Sequence, residues 1–103
     1  MKQKFYIHTT LNTFKECPSA RVVKIPGYET YTFFAHRAFM GDDIWQDKYW
    51  RISEAATGQL CGGNSSNTIK QCIKRTKQIL DKVGEKALKQ CITKAIKSPY
   101  KGG

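Results

Sequence analysis

Residues Asn64 to Lys97 read NSSNTIKQCIKRTKQILDKVGEKALKQCITKAIK, and the spacing of their apolar positions decides the fold. Ile69, Cys72, Ile73, Thr76, Leu80 and Val83 fall at i, i+3, i+4, i+7, i+11 and i+14, one face of an α-helix. Ala87, Leu88, Cys91, Ile92, Ala95 and Ile96 continue the pattern beyond Gly84. A single helix of about 31 residues would run roughly 46 Å, too long to bury its apolar face on so small a chain. Glycine costs about 1 kcal/mol inside a helix and is at home just past a helix end. The spacing therefore predicts two helices, residues 66–82 and 85–97, broken at Gly84. Asn64, Ser65 and Ser66 are each candidates for the N-cap of the first, and Ser98-Pro99 is expected to stop the second.

The positions between the apolar ones carry Lys70, Lys74, Arg75, Lys77, Lys82, Lys86, Lys89, Lys94 and Lys97 against only Asp81 and Glu85. The whole chain has 18 basic and 8 acidic side chains, a net charge of +10. Residues 1–63 hold eight basic and six acidic side chains, whereas residues 64–103 hold ten and two, so the positive charge belongs to the last third. A concentrated positive field attracts polyanions, and nucleic acid is the commonest of these in a cell. Lys70, Lys74 and Lys77 form one stripe, with Arg75 and Lys82 beside it, and Lys86, Lys89, Lys94 and Lys97 extend the charge along the second helix. Lysine-rich helices of this kind suit contact with the phosphate backbone more than readout of base edges. If about six of these cations reach phosphates, log affinity for duplex DNA is expected to fall with log salt at a slope of about −5.

Upstream, the pattern changes to a period of two. Phe5, Ile7, Thr9 and Leu11 alternate with Tyr6, His8 and Thr10, predicting a half-buried strand. Residues 12–20 read as a loop around Cys17-Pro18-Ser19, and Arg21 to Ile25 as a short strand stopped by Pro26-Gly27. Tyr28 to Phe39 is the longest strand candidate. Tyr31, Phe33, Ala35 and Phe39 share one face and Thr32, Phe34, His36 and Ala38 the other, so bulk on both sides marks it as central. Residues 40–48 form an acidic loop with Asp42, Asp43 and Asp47. Tyr49 to Ala55 is a strand, Thr57-Gly58 a hairpin tip and Gln59 to Cys61 a short return strand. Strands first and helices last predict an α+β domain spanning residues 1–103: an antiparallel sheet of four to five strands covered on one face by two C-terminal helices, with a mobile tail from Ser98. Aromatics on the open face, Tyr6, Tyr28 or Trp45, are candidates to stack on unpaired bases.

Chemistry-bearing patterns are few. His8 and His36 are the two histidines able to act as general bases near neutral pH, and the sequence sets no serine or cysteine beside either. Both read as structural residues of strands. Asp42, Asp43 and Asp47 lack the second ligand cluster that a catalytic divalent-ion site requires. Cys17, Cys61, Cys72 and Cys91 are 44, 11 and 19 positions apart, which gives no C-x-x-C pair and no zinc signature. Neither a phosphate-binding glycine loop nor an H-E-x-x-H string occurs, so no catalytic residue, metal or cofactor is expected. The apolar opening Phe5-Tyr6-Ile7 is far short of a secretory signal, and no run reaches the roughly 20 apolar residues of a membrane span. The expectation is a reduced, cytoplasmic protein with no membrane partner.

Trp50-Arg51-Ile52-Ser53-Glu54-Ala55-Ala56-Thr57-Gly58 resembles a pattern of small phage and mobile-element proteins. In these, an aromatic-led strand and Thr-Gly turn lead through Gly and Ser/Thr into a C-terminal amphipathic helix. The order of elements is also similar to the arm-binding domains of phage integrases and the latter half of double-stranded-RNA-binding domains. In the RNA-binding family, Gly63-Asn64-Ser65-Ser66 and the first-helix lysines would correspond to the phosphate-binding helix start. The chain departs from that family in having no N-terminal helix and Ser66-Asn67-Thr68 where consecutive lysines stand. Small phage proteins of this size include anti-defence inhibitors such as anti-CRISPR proteins. The resemblance implies a bacterial host cell and two alternatives: binding of DNA, RNA or a ribonucleoprotein, or inhibition of a host defence protein.

Overall fold

The computed structural model describes residues 4–9, 13–18, 20–39, 45–59 and 66–100. Among the described residues seven elements follow one another: β1 (Tyr6–His8), β2 (Phe14–Glu16), β3 (Arg21–Val23), β4 (Phe33–Phe39), β5 (Trp45–Glu54), α1 (Ile69–Val83) and α2 (Glu85–Lys94). The architecture is α+β with every strand pair antiparallel. The strands form two sheets where the sequence predicts one: β1 pairs with β2, and β3, β4 and β5 form a second sheet in that order. β4 takes the middle of the larger sheet, as bulk on both its faces predicts.

Parity explains how this sheet is buried. Phe33 pairs with Glu54, Ala35 with Ile52 and Arg37 with Trp50, so these residues share one face. Phe33, Ala35, Trp50 and Ile52 join Ile25, Tyr28, Cys72, Leu80 and Leu88 in one core cluster, which ties β4 and β5 to both helices. Phe34, of the opposite parity, joins Phe5, Ile7, Cys17 and Ala55 in a second cluster, which ties the β1–β2 ribbon to the back of β4. The Phe34 ring stacks on Phe5 at 5.0 Å between centroids. Each fully buried aliphatic or aromatic side chain here stabilises the fold by about 1.5–3 kcal/mol.

Several boundaries differ from the sequence expectation. β2 lies in the predicted loop; its three residues, Phe-Lys-Glu, are too few to show an alternation. Residues 28–32 turn instead of extending the central strand: Tyr28 N–H donates to the Ile25 carbonyl and Tyr31 N–H to that of Tyr28. Gly27, at φ 90°, permits the bend, and the Glu29 carboxylate accepts from its N–H at 3.0 Å. β5 begins at Trp45, inside the predicted acidic loop, and the β4–β5 register slips between Arg37 and Phe39. Its far end turns where Thr57-Gly58 predicts. Glu54 closes that turn by accepting from Ala56 N–H, Thr57 N–H and Thr57 Oγ1–H at 2.7–3.0 Å. Of the predicted return strand, Gln59 accepts from Glu54 N–H, while Leu60 and Cys61 lie outside the described residues.

α1 is capped by Thr68, not by Ser66; its side chain accepts from Gln71 N–H at 3.1 Å. Ser66 instead bridges the edge of β5, exchanging both backbone hydrogen bonds with Trp50. The cap candidates Asn64 and Ser65 lie outside the described residues. The break falls at Gly84, with φ 89° and ψ 152°, and its N–H closes α1 on the Leu80 carbonyl. α2 ends at Lys94, short of the predicted Lys97, because Ala95 is extended. The chain then reaches back, Ser98 donating through N–H to Ala56 and through Oγ–H to Ala55. Tyr100 stacks on Phe5 at 5.1 Å. Residues 98–100, which the sequence expectation places in a tail, thus make contacts with the β5 turn and with Phe5.

Candidate nucleic-acid interface

The predicted cations occupy two helices whose buried faces are fixed by the core. In α1 the buried residues are Cys72, Thr76 and Leu80; in α2, Leu88. Successive residues turn by about 100°, so Lys70, Lys74, Lys77 and Asp81 fall on one line along α1, while Arg75 and Lys82 lie about 100° round on the other flank. Arg75 and Lys82 thus lie on a different flank of α1 from Lys70, Lys74 and Lys77.

Asp81 fixes which way the line faces. Its carboxylate accepts from Tyr28 Oη–H at 2.8 Å and from Lys77 Nζ–H at 2.7 Å. Tyr28 follows β3, so the line looks toward the β3 side of the sheet. Lys77 first, and then Tyr28, holds the Asp81 carboxyl below its usual range, and the Tyr28 hydroxyl is correspondingly raised. At the other end of α1, Cys72 Sγ–H donates to the Trp50 carbonyl at 3.0 Å, which pins the first turns over that part of β5. Lys70 and Lys74 consequently stand near Trp50, and Asp81 near the opposite end of the sheet.

The predicted residues also differ in how engaged they are. Lys77 is paired with Asp81, and Lys89 with Glu85 at 3.5 Å. Lys97 folds back to donate to the Ile92 and Ala95 carbonyls at the end of α2. Arg75 is exposed. Lys70, Lys74, Lys82, Lys86 and Lys94 are exposed and make no ion pair among the described residues.

Two arginines that the sequence reading did not single out come to the same region. Arg37 lies directly across from Trp50, its guanidinium carbon 3.8 Å from the ring centroid, and the Arg21 guanidinium carbon lies 5.5 Å from the same centroid. A signal was present: Arg37 has the parity of Phe33 and Ala35, and a charge at a core-facing position needs a partner. The aromatic platform expected on an open sheet face is not made by Tyr28, which is buried and bonded to Asp81. The Trp45 side chain lies outside the described residues, as do Asp42 and Asp43.

No serine or cysteine is set beside His36 in the sequence, but strand pairing brings Ser53 to it. Ser53 donates its hydroxyl to His36 Nε2 at 2.8 Å while His36 Nδ1–H donates to the Arg37 carbonyl, also at 2.8 Å. The carbonyl accepts only, which fixes the tautomer. Strand pairing creates the contact across 17 residues of sequence, beyond the reach of local motifs. Both side chains are buried, at 3 % and 1 % exposure. Burial also lowers the imidazole pKa to about 4 and raises the Cys17 thiol to about 12. Cys17, Cys72 and Cys91 are free thiols, so Cys72 and Cys91 do not pair.

An apolar cleft of about 270 Å³ opens between α1, α2 and the β5 turn, lined by Leu80, Val83, Ala87, Leu88 and Ile92 among others. Among the described residues no three His, Cys, Asp or Glu side chains gather as a metal site would require, and no helix is long and apolar enough to cross a membrane. No known protein family, curated protein or solved structure matches the chain.

Proposed function

We propose that this protein binds the phosphate backbone of DNA or RNA, free or within a nucleoprotein, through the line of lysines on α1 that faces the β3 side of the sheet. The observation that carries this reading is the exposure of Lys70 and Lys74, which make no ion pair among the described residues, on a helix whose opposite face is locked into the core. Two point charges one turn apart, with a third held back by Asp81, suit a chain of phosphates and make no demand on sequence. Lys82, Lys86 and Lys94 add to the long-range attraction without facing the same strand. Replacing Lys70 and Lys74 together by glutamate is expected to weaken mobility shifts by about tenfold or more at low salt and to shorten retention on heparin. Absence of any shift with duplex and single-stranded DNA and RNA at low salt defeats the reading.

A second reading rests on the apolar cleft, whose rim includes Val83, 54 % exposed. An inhibitor of a host defence protein would use such a surface. It would form a stoichiometric complex with one protein that survives nuclease and moderate salt, whereas nucleic-acid-mediated capture would be lost under either treatment.

A further inference from the structure

Arg21 and Arg37 share one indole. Like charges brought to a common ring repel, and cation–π attraction offsets part of that cost. Neither guanidinium makes an ion pair among the described residues. A guanidinium lying against an aromatic face keeps its edge free, and the edge carries the N–H donors that fork onto phosphate. Trp50 is itself held on several sides. It is 8 % exposed, paired to Ser66 on one side and to Arg37 on the other, and its carbonyl holds Cys72 of α1. The slip in register just beyond Arg37 is the kind of irregularity that re-aims a strand side chain.

Placement completes the picture. Arg21 and Arg37 rise from β3 and β4 on the helix-covered face, at the end of the sheet where α1 begins. Lys70 and Lys74 lie at that end of α1, on the flank directed toward β3. We infer that Arg21 and Arg37, seated on Trp50, form a phosphate clamp that opposes Lys70 and Lys74, so that one nucleic-acid strand is gripped between the sheet and α1. This rests on the nucleic-acid reading above and adds to it a second wall, contributed by the sheet, that supplies bidentate contacts where the helix supplies point charges.

Two measurements on the full chain test the clamp. In the first, the arginine Nε–H resonances are followed while inorganic pyrophosphate is added. Those of Arg21 and Arg37 are expected to shift together and saturate at a common midpoint; shifts that stay linear, or that match those of Arg51 and Arg75, overturn the clamp. In the second, Arg37→Gln is expected to raise the dissociation constant for nucleic acid about tenfold and reduce the salt slope by about one. Arg37→Lys keeps the charge and should restore the slope but not the affinity, because it lacks the fork. If Arg37→Gln does not fold, Arg37→Lys still decides: wild-type affinity in that variant counts against the clamp. Nucleic-acid binding that ignores both arginines removes the clamp and leaves the lysine reading standing. Saturating pyrophosphate shifts without nucleic-acid binding overturn the lysine reading and the strand-gripping clamp alike, and leave Arg21 and Arg37 as a phosphate site alone.

Discussion

Gly58 joins the two sheets. At φ 70° it occupies the left-handed region, and a Cβ there would lie 2.6 Å from the Tyr6 carbonyl oxygen and 2.9 Å from His8 N. Its own carbonyl accepts from His8 N–H. Gly58→Ala must therefore push β1 off the turn, and we expect a loss of about 2 kcal/mol or more in urea unfolding, through strain and backbone displacement together. His36 makes the second residue-scale prediction. Its folded pKa, about 4, lies below the ordinary 6.5, so the unfolded chain takes up the proton first as pH falls. Stability conferred by the neutral, buried ring is full above about pH 6.5 and is lost progressively toward pH 4, by roughly 3 kcal/mol in total. His36→Gln should flatten the stability profile across that window. An unchanged profile would mean that the ring is not buried as described. Neither residue is legible locally. Gly58 reads as a turn glycine, and the His36–Ser53 bond exists only once β4 and β5 are in register.

Among the elements, the helices and the centre of the sheet are the legible part. Ile69 to Val83 carries enough turns for its period to stand out, and Gly84 marks the break because only glycine is at ease at φ 89° and ψ 152°. Gly84→Ala, which meets no neighbour with its Cβ, should still cost about 1–3 kcal/mol by backbone strain alone, read as a fall in the urea midpoint. Short strands are the illegible part. β1, β2 and β3 have three residues each and are defined by their partners, so β2 hides in a loop-like stretch and the β1–β2 ribbon separates from the larger sheet. Tyr28 illustrates the cost of reading parity alone. It extends the alternation of β4 on paper, yet Pro26-Gly27 turns the chain and delivers its hydroxyl to Asp81. That contact restrains Lys77, which leads to a functional expectation. Asp81→Asn keeps an acceptor for Tyr28 but releases Lys77, and should tighten polyanion binding and steepen its salt slope by about one. A weaker or unchanged slope would mean that the α1 line does not meet phosphates.

Across the whole molecule, the partition of charge was visible from composition, since residues 64–103 carry +8 of the +10. Its direction was not. Which flank of α1 faces the sheet depends on Tyr28 and Asp81, 53 residues apart, and the sheet's own cations come into play only through the Arg37–Trp50 register. Nine basic residues in sequence become, in space, a line of three lysines, a second flank with Arg75 and Lys82, the exposed Lys86 and Lys94 of α2, and the locally engaged Lys89 and Lys97. We propose that the line of lysines, with the sheet's cations opposite, meets a chain of phosphates. The most direct test of this is the salt dependence of binding to a short DNA or RNA duplex, compared between the wild-type chain and Lys70→Glu/Lys74→Glu. We expect a log–log slope of about −4 for the wild type, shallower by about two in the variant. A wild-type slope near zero, or one that the double charge reversal leaves unchanged, would contradict it.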